Sequence, residues 1–328
     1  MRAGDRVLAE ACGICGGTER QVLATRGRGF IPLGTAVCMG CGLVSHHPAP
    51  DAAEVAAFYA SRYRVEYKGA IEPKRKHALR AIRGALARMR RLAPLLPPRA
   101  AVLDVGASSG EFVYAMARAG FDATGVEPNR GYAEYAAATY GVRLQFGGFE
   151  TAEARLGSLD LVTLNHVLEH LADPWDALRR IHGWLKPDGL LFIEVPNLAG
   201  VRKQAVNTFH RAHIWNFTPE TLEAVAFQAG FVPRQGEDAR STSVVFRKRG
   251  VDDAAPARTG PGLAARIAAQ VVQEQSALAY LLSGAPFTRR WHRLRRNLEE
   301  ARVVRRHVSV RAMADALIAA EHSALDRA

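Results

Sequence analysis

Short apolar runs alternate with segments of helical periodicity between residues 100 and 250, and this alternation constrains the fold more than any other feature. The runs that predict strands are Ala101–Val105, a run ending at Glu127, Val142–Phe146, Asp160–Leu164, Leu190–Val195 and Ser241–Arg249. Chains with this order bury a parallel sheet between layers of helices. We therefore predict an α/β domain with a Rossmann-like sheet.

The turn after the first predicted strand is built of small residues. It contains Asp104, Gly106, Ser108 and Gly110 and opens a predicted helix. Small residues let the backbone approach a ligand closely, and the N-terminus of a helix offers amides without helical partners. Glu127 ends the second predicted strand, where a carboxylate can accept the hydroxyls of a ribose. These features together predict a nucleoside cofactor.

Two departures from the dinucleotide-binding pattern indicate the kind of nucleoside. That pattern has three glycines, and Ser108 occupies one of their positions here. Asp104 lies inside the predicted strand, where a carboxylate suits a cationic ligand better than a pyrophosphate. The loop therefore favours a cationic nucleoside without phosphates.

Five motifs follow one another in this part of the chain. They are Val102–Gly110, Val126–Pro128, Asn165–Pro174, Leu185–Gly189 and Glu194–Asn197. In this order they resemble class I S-adenosylmethionine (SAM)-dependent methyltransferases. The resemblance implies a seven-stranded sheet with a final antiparallel hairpin, SAM as cofactor and methyl transfer as the activity.

The same resemblance implies the residues that bind the cofactor. They are Asp104, Gly106, Ser108, Gly110, Glu127, Phe149, Asn165 and His166. The loop would surround the methionine part of SAM, Glu127 would hold the ribose, and Phe149 would border the adenine. Asn165 and His166 would line the floor beside the sulfonium.

The four cysteines of the chain form two pairs with the same spacing. Cys12 and Cys15 make one CxxCG motif, and Cys38 and Cys41 make the other. The glycine lets the backbone curl so that amides point at a thiolate. Four thiolates suit tetrahedral Zn²⁺ in a closed structural site. Two disulfides or unrelated thiols are the alternatives, although nothing in the sequence suggests export to an oxidising compartment.

Composition shifts divide the chain into four predicted segments. They are a zinc-binding module (1–50), a helical linker (51–99), a SAM-binding methyltransferase domain (100–250) and a basic helical C-terminal extension (251–328). We expect His46 and His47 to be surface loop residues rather than ligands, because four sulfurs already fill a zinc shell. Asp51 and Glu54 form a capping-box pattern at the start of the linker.

The net charge of +12 is concentrated in two stretches, 72–99 and 287–311, which each hold nine Lys or Arg. Such stretches predict a phosphate-bearing, anionic-lipid or nucleic-acid partner, and solvated helix faces are the alternative. No apolar run is long enough for a membrane helix, and the N-terminus does not resemble a signal peptide. We therefore expect a cytoplasmic protein that contacts a membrane at most peripherally, and the oligomeric state stays open.

The order of segments also resembles deoxysugar C-methyltransferases and their bacterial glycan-modifying relatives. The four-cysteine module leads into Gly42–Pro50 and then into a helix with Phe58, Tyr59, Tyr63 and Tyr67. In that group the second His of a His-Glu-His segment acts as base. His213 takes this position, with Ala212 in place of the acid. The resemblance implies His213 as catalytic base, with His166 as a second catalytic candidate and a packing role for His213 as the alternative.

Three functions therefore compete. The first is methylation of a sugar, glycan or related small molecule at oxygen, nitrogen or carbon. The second is RNA methylation, with the cysteine module and basic helices holding RNA. The segment after the fourth predicted strand lacks the Asn-Pro-Pro-Tyr type of motif used for base amines, and the basic stretches lack interleaved aromatic residues. The third is a non-enzymatic scaffold, which the intact cofactor loop disfavours.

Overall fold

Two β-sheets organise the computed structural model, which describes residues 2–51, 53–55, 73–200, 208–238, 240–256, 258–274 and 285–325. The strands are β1 (Arg6–Leu8), β2 (Glu19–Arg26), β3 (Pro32–Cys38), β4 (Val44–His46), β5 (Ala101–Val105), β6 (Asp122–Glu127), β7 (Leu144–Phe146), β8 (Leu159–Asn165), β9 (Leu185–Glu194), β10 (Trp215–Asn216), β11 (Phe231–Pro233) and β12 (Ser243–Lys248). The longer described helices are α1 (Arg75–Leu92), α2 (Glu111–Arg118), α3 (Arg130–Tyr140), α4 (Pro174–Trp184), α5 (Pro219–Gln228), α6 (Pro261–Glu274), α7 (Ala285–Arg305) and α8 (Val310–Leu325).

The larger sheet has seven strands in the order β11-β12-β9-β8-β5-β6-β7. Strand β5 pairs in parallel with β6 and β8, and β6 pairs in parallel with β7. Strands β11 and β12 form the antiparallel pair at the other edge. The predicted fold class is confirmed, including the terminal hairpin. Four strand starts differ from the prediction, because β7 starts at Leu144, β8 at Leu159, β9 at Leu185 and β12 at Ser243.

The chain divides into two compact units. The first comprises Met1–Tyr67, His166–Gly183 and Leu191–Phe287, and the second comprises Lys68–Asn165, Trp184–Leu190 and Thr288–Ala328. The predicted C-terminal extension therefore contributes α6 to the first unit and α8 to the second. The functional division into four segments remains a prediction.

In the second unit, the basic helix α1 packs against α2 and α8. Its apolar face is buried, whereas arginines on its other face meet acids of the C-terminal helices. Arg80 donates to Glu300 from Nε and Nη2 at 2.6 Å each, and Arg83 donates to Glu299 at 2.8 Å. Arg90 also pairs with Glu321. Part of the predicted basic surface is therefore neutralised within the unit.

The first unit contains the smaller sheet, whose strand order is β1-β2-β3-β4-β10. Strands β2, β3 and β4 come from the predicted zinc module, and β10 comes from a segment roughly 170 residues later. Helix α6 packs on this sheet. Their shared core is formed by Leu23, Ala24, Val37, Val44, Leu198, Phe209, Leu263, Ala264, Ile267, Ala268 and Val271.

Two expectations for the end of the zinc module have different outcomes. The capping box is confirmed, because Asp51 N donates to Glu54 Oε2 at 3.0 Å and Glu54 N donates to Asp51 Oδ1 at 2.7 Å. The surface position of His46 was predicted wrongly. His46 is a strand residue with 5% exposure, since β4 is covered inside the first unit.

The tyrosine-bearing helix predicted after the capping box lies outside the described residues, together with Phe58, Tyr59, Tyr63 and Tyr67. Among the helices that the structure describes, none combines the length and the apolar character needed to cross a membrane.

Candidate functional site

Asp104 is the buried acid of the predicted cofactor loop, with 3% exposure. It lies on strand β5, which is flanked by β6 and β8. Two side chains of β8 donate to its Oδ1, Thr163 Oγ1 at 2.5 Å and Asn165 Nδ2 at 2.9 Å. Burial raises the pKa of Asp104 to about 6, although these hydrogen bonds and the charge of Arg88 oppose the rise. The site therefore holds a carboxylate whose charge depends on pH near neutrality.

Glu127, the predicted ribose ligand, fastens the cofactor loop to the end of β6. Its Oε2 accepts from Ser108 N and its Oε1 accepts from Asn129 N, both at 2.8 Å. Ser108 has φ 51°, in the left-handed region that non-glycine residues seldom adopt. A carboxylate oxygen can accept more than one hydrogen bond. The residue can thus hold the loop and accept a ribose together.

Glycines give the loop its close contacts. Gly106 and Gly110 have φ values of 72° and 84°. The amides of Gly106 and Ala107 donate to Val126 O at 2.8 and 3.0 Å. A Cβ on Gly110 would lie 2.8 Å from the Cβ of Ala136 on α3. Any larger residue at position 110 would push the loop away from this helix.

Asn165 and Phe149 complete the predicted cofactor residues in the second unit. Asn165 Nδ2 is used by Asp104, but its Oδ1 is buried and has no hydrogen-bond partner among the described residues. An unsatisfied buried acceptor is costly unless a ligand or water donates to it. The Phe149 ring lies 5.6 Å from the Trp184 ring and is buried. These residues fit a bound SAM, because SAM carries hydrogen-bond donors for the Asn165 oxygen and a planar adenine for the Phe149 ring.

In the first unit, three histidines surround the carboxylate of Glu169, and together they form what we call the Glu169 cluster. Distances from Glu169 Oε1 are 3.5 Å to His166 Nδ1, 3.8 Å to His170 Nε2 and 3.9 Å to His213 Nε2. Glu169 has 1% exposure, and neither of its oxygens has a hydrogen-bond partner in the described part of the chain. The sequence indicated His166 and His213 separately, but not that they share this acid.

The three imidazoles of the Glu169 cluster differ in pKa and therefore in charge. The carboxylate of Glu169, 3.5 Å from Nδ1, and then that of Glu194, whose Oε1 lies 3.3 Å from Nε2, raise the pKa of His166 to about 9. Burial lowers the pKa of His213 far below its ordinary value, and the neighbouring histidines add to this. Burial also lowers the pKa of His170, whose Nδ1 donates to Ala212 O at 2.6 Å. At neutral pH, His166 is a cation and the other two are neutral.

The four cysteine sulfurs converge in the first unit. All lie within 4.8 Å of one another, with 3.6 Å between Cys12 and Cys41 and 3.5 Å between Cys15 and Cys38. Sulfurs on a tetrahedral zinc lie about 3.8 Å apart. All four cysteines are free thiols rather than disulfides. A Cβ on Gly40 would lie 2.8 Å from Cys15 Sγ, so the backbone at Gly40 packs directly against this sulfur. The donor set and spacing fit a zinc ion.

The first cysteine loop also contacts two helices of the first unit. A Cβ on Gly13 would lie 2.5 Å from the Trp175 ring of α4. Gln228 of α5 donates to Ile14 O at 3.0 Å and accepts from Trp175 Nε1 at 2.7 Å. These contacts were not predicted from the sequence.

Strand pairing connects the cysteine sheet to the segment of His213. Trp215 and Asn216 of β10 pair with Ser45 and Val44 of β4, and His46 N donates to Ile214 O at 2.9 Å. The backbone next to His213 is therefore held by the sheet that carries Cys38. This relation was not predicted, because two-residue strands leave no periodic signal.

Part of the chain is similar to known methyltransferases. Residues 75–235 match the family described as "Methyltransferase domain". The chain contains a methyltransferase domain. Its curated relatives include the ubiquinone biosynthesis O-methyltransferase of Bordetella avium, with 34% identity over 102 residues that cover 29% of this chain and 42% of the relative. The corresponding protein of Pseudomonas paraeruginosa has 36% identity over 104 residues, covering 29% of this chain and 44% of that protein.

The chain therefore spans less than half the length of these curated relatives. Similar solved structures include the 1,6-didemethyltoxoflavin-N1-methyltransferase of Burkholderia thailandensis, with 21% identity, TM-score 0.42 and coverage of 63% of this chain and 96% of that one. The CcbJ methyltransferase of Streptomyces caelestis has 17% identity, TM-score 0.43 and coverage of 60% and 96%.

Proposed function

We propose that the protein transfers the methyl group of SAM to a hydroxyl of a sugar, glycan or related small molecule. The observation that carries the proposal is the buried Asp104–Asn165 pair of the methyltransferase domain, in which Asn165 Oδ1 lacks a partner among the described residues. The curated relatives named for O-methylation support oxygen as the acceptor atom. Methylation of nitrogen or carbon is the alternative outcome of the test.

In this proposal, SAM supplies an electrophilic methyl group when bound. Asp104 and the loop residues Gly106, Ser108 and Gly110 would hold its cationic methionine part, with Asn165 as a nearby acceptor. Glu127 would accept the ribose hydroxyls, while Phe149 would border the adenine. The hydrogen bond from Ser108 N to Glu127 supports this arrangement, because it keeps the loop at the end of β6 before the cofactor arrives.

We further propose that His213 takes the proton of the acceptor hydroxyl, with His166 as a second catalytic residue. As the acceptor oxygen bonds the methyl carbon, the sulfonium sulfur keeps the electron pair of the broken bond, leaving S-adenosylhomocysteine. The proton passes to an imidazole nitrogen. The position of His213 after β9, as in the sugar methyltransferases that the sequence resembles, supports this role. His166 directly follows the cofactor residue Asn165 in the chain.

Zinc is proposed as a second resident group, bound by Cys12, Cys15, Cys38 and Cys41. The convergence of the four free thiols supports it. A four-sulfur shell has no open position, so we assign this ion a structural role. Its role would be to stabilise the smaller sheet, whose strand β3 ends at Cys38.

The remaining exposed arginines of α7, such as Arg293 and Arg295, support attraction of a phosphate-bearing acceptor or an anionic membrane surface. RNA is a less favoured partner, because Arg80, Arg83 and Arg90 are already paired with acids of their own unit. If phosphate is attracted, replacing Arg293 and Arg295 by Gln should raise the KM of the acceptor and flatten its salt dependence.

The function is tested by incubating the protein with methyl-labelled SAM and a panel of nucleotide sugars, glycans, phenolic small molecules and RNA. Mass spectrometry would then locate the label. Labelling of a sugar or other small-molecule hydroxyl is the expected result. Labelling of RNA alone, or tighter binding of NADH than of SAM, would contradict the proposal.

A further inference from the structure

Glu169 is a buried acidic residue of the first unit. Its side chain is almost fully buried, and neither carboxylate oxygen has a hydrogen-bond partner among the residues that the structure describes. An ionised carboxylate removed from water costs several kcal/mol unless it is paired or coordinates a metal. His166 offers an ion pair at 3.5 Å, but its side chain is half exposed and it also faces Glu194. The ion pair with His166 therefore compensates the buried carboxylate only in part.

Two further imidazole nitrogens face Oε1, the same oxygen that His166 contacts. His170 donates from Nδ1 to Ala212 O at 2.6 Å, so the other nitrogen, Nε2, carries the lone pair that faces Glu169. A histidine that binds a metal commonly donates its second ring nitrogen to a backbone carbonyl in this way. His213 also directs Nε2 towards the same oxygen. Both nitrogens therefore lie on the side of the imidazole ring that a metal held by Glu169 would approach.

The separations suit a metal ion. One donor atom from each of Glu169, His170 and His213 lies within 4.8 Å of the others, and the two nitrogens are 3.8 and 3.9 Å from Glu169 Oε1. Donor atoms on a tetrahedral ion with bonds near 2.1 Å lie roughly 3.4 Å apart. The two nitrogen-to-oxygen distances exceed this value by about half an ångström, so side-chain rotations would have to draw the three donor atoms together around the ion.

We propose that Glu169, His170 and His213 bind a divalent transition-metal ion in a site separate from the four cysteines. Two imidazoles and one carboxylate favour Zn²⁺, Fe²⁺ or Co²⁺ over the hard ions Mg²⁺ and Ca²⁺. Such a set leaves coordination positions open for water or for an oxygen ligand. The cysteine site, in contrast, has a full shell of four sulfurs.

This site would deepen the proposed function in one respect. An open position could take the acceptor oxygen, and a bound ion lowers the pKa of a coordinated hydroxyl. In the metal-loaded protein, His213 would then be a ligand rather than the free base. That last step rests on the proposed function, whereas metal binding itself does not.

The test starts from the full chain with one zinc per molecule, counted by elemental analysis. This protein is titrated with Co²⁺ and followed by calorimetry and visible absorption. We expect one further equivalent to bind with the weak absorption of nitrogen and oxygen ligands. Thiolate-to-cobalt charge-transfer bands would instead reveal exchange at the cysteines, and they would contradict the assignment for that equivalent.

Variants assign the second equivalent to the cluster. Glu169→Gln and His213→Ala should each weaken Co²⁺ binding at least 10-fold, because each removes a ligand atom. Glu194→Gln is the matched control, since it makes the same change at a carboxylate that faces His166 but is outside the ligand set. This control variant should bind Co²⁺ with an affinity within about 3-fold of the wild type. Circular dichroism checks that each variant folds.

The wild-type titration decides the matter even if Glu169→Gln does not fold. Failure of the folded wild type to bind Co²⁺ or Zn²⁺ beyond the first equivalent would overturn the proposal, as would unchanged binding in His213→Ala. The two proposals fail separately. A second metal with no methylated acceptor counts against the proposed function alone, whereas methylation without a second metal leaves His213 as the base.

Discussion

Asp104 shows how a single residue can make cofactor binding depend on pH. Its carboxyl is buried, accepts from Thr163 and Asn165, and has a pKa raised to about 6. The raised pKa means that folding favours the protonated acid. The associated stability is present below the unfolded pKa of about 3.8 and is lost as the pH rises through 6.

The first prediction concerns SAM affinity and Asp104→Asn. A cationic ligand favours the ionised carboxylate, so the Kd of SAM should fall about 10-fold between pH 5 and pH 7 in the wild type. Asp104→Asn keeps an acceptor for Thr163 but cannot ionise, so its Kd should be weaker and nearly constant. It should also melt at a higher temperature than the wild type at pH 7.5. Calorimetry at a series of pH values checks this. If the Kd of SAM changes with pH in the same way in both proteins, Asp104 is not part of the SAM site.

Glu127 carries the second prediction. Glu127→Ala should weaken SAM by about 1–3 kcal/mol, because the ribose loses a charged acceptor and Ser108 N loses its partner. Glu127→Gln keeps one acceptor oxygen and should lose less. Amide exchange at Ser108 distinguishes loss of the loop contact from loss of the ribose contact. Equal SAM affinity in all three proteins would refute the assignment.

His213 carries the third prediction. With a verified acceptor, His213→Ala should lower turnover by roughly 10²–10⁴-fold and leave SAM affinity nearly unchanged. His182→Ala is a control, because His182 contacts Phe231 and is outside the Glu169 cluster. Normal turnover in His213→Ala would make His213 a packing residue.

At the scale of elements, arginines of α1 form ion pairs with acids of the C-terminal helices, which composition alone does not reveal. Glu300 has 1% exposure and accepts two hydrogen bonds from Arg80, while Glu299 is 61% exposed beside Arg83. The arginine that charge counting assigned to a partner is thus part of a helix contact. A buried acid and its exposed neighbour give a matched comparison.

The fourth prediction compares these two glutamates. Glu300→Gln should lower the free energy of unfolding by about 2–3 kcal/mol, because it leaves Arg80 with a weakened partner near the core. Glu299→Gln should cost about 0–1 kcal/mol, since its pair is exposed to solvent. Urea unfolding of both variants measures the difference. Equal midpoints would show that the α1–α7 contact does not depend on the buried pair.

The same scale shows what the sequence could predict. The strands β5, β8 and β12 were recognisable because each contains an apolar run bounded by turn residues, whereas only the end of β6 at Glu127 was predicted. Strands of two or three residues, such as β10 and β11, carry no periodicity. The start of β9, Leu185–Gly189, contains proline and glycine and reads as a turn. Its pairing is imposed by the tertiary structure.

The candidate site was predictable to the extent that its residues are near one another in the chain. The cofactor loop and Glu127 were predicted from strand ends and spacing, and Asn165 was predicted from the resemblance to methyltransferases. The Glu169 cluster does not, because 44 residues separate Glu169 from His213 and only the folded first unit brings them together. The four sulfurs were predicted as a set, because the CxxC spacing is itself local.

For the whole molecule, the pairing of β4 with β10 makes the fifth prediction. Cys38→Ser should release zinc, which contributes on the order of 10 kcal/mol to the folding of such modules. Loss of that sheet would free the backbone beside His213, so turnover should fall while SAM affinity stays close to wild type. Elemental analysis, hydrogen exchange at residues 213–216 and calorimetry check the three parts. No zinc in wild-type protein purified without chelator would contradict the prediction.

The pairing of β4 with β10 also has a consequence during synthesis on the ribosome. Asn216 is made roughly 170 residues after its partner Val44, which at about 5–20 residues per second means a delay of roughly 10–35 s. Throughout that interval the nascent chain exposes the unpaired edge of β4, and open edges recruit strands from other chains. Polysomes that carry several copies bring such edges together. Slow elongation before residue 216 should therefore increase aggregation, whereas chaperones that cover the edge should raise the yield of folded protein.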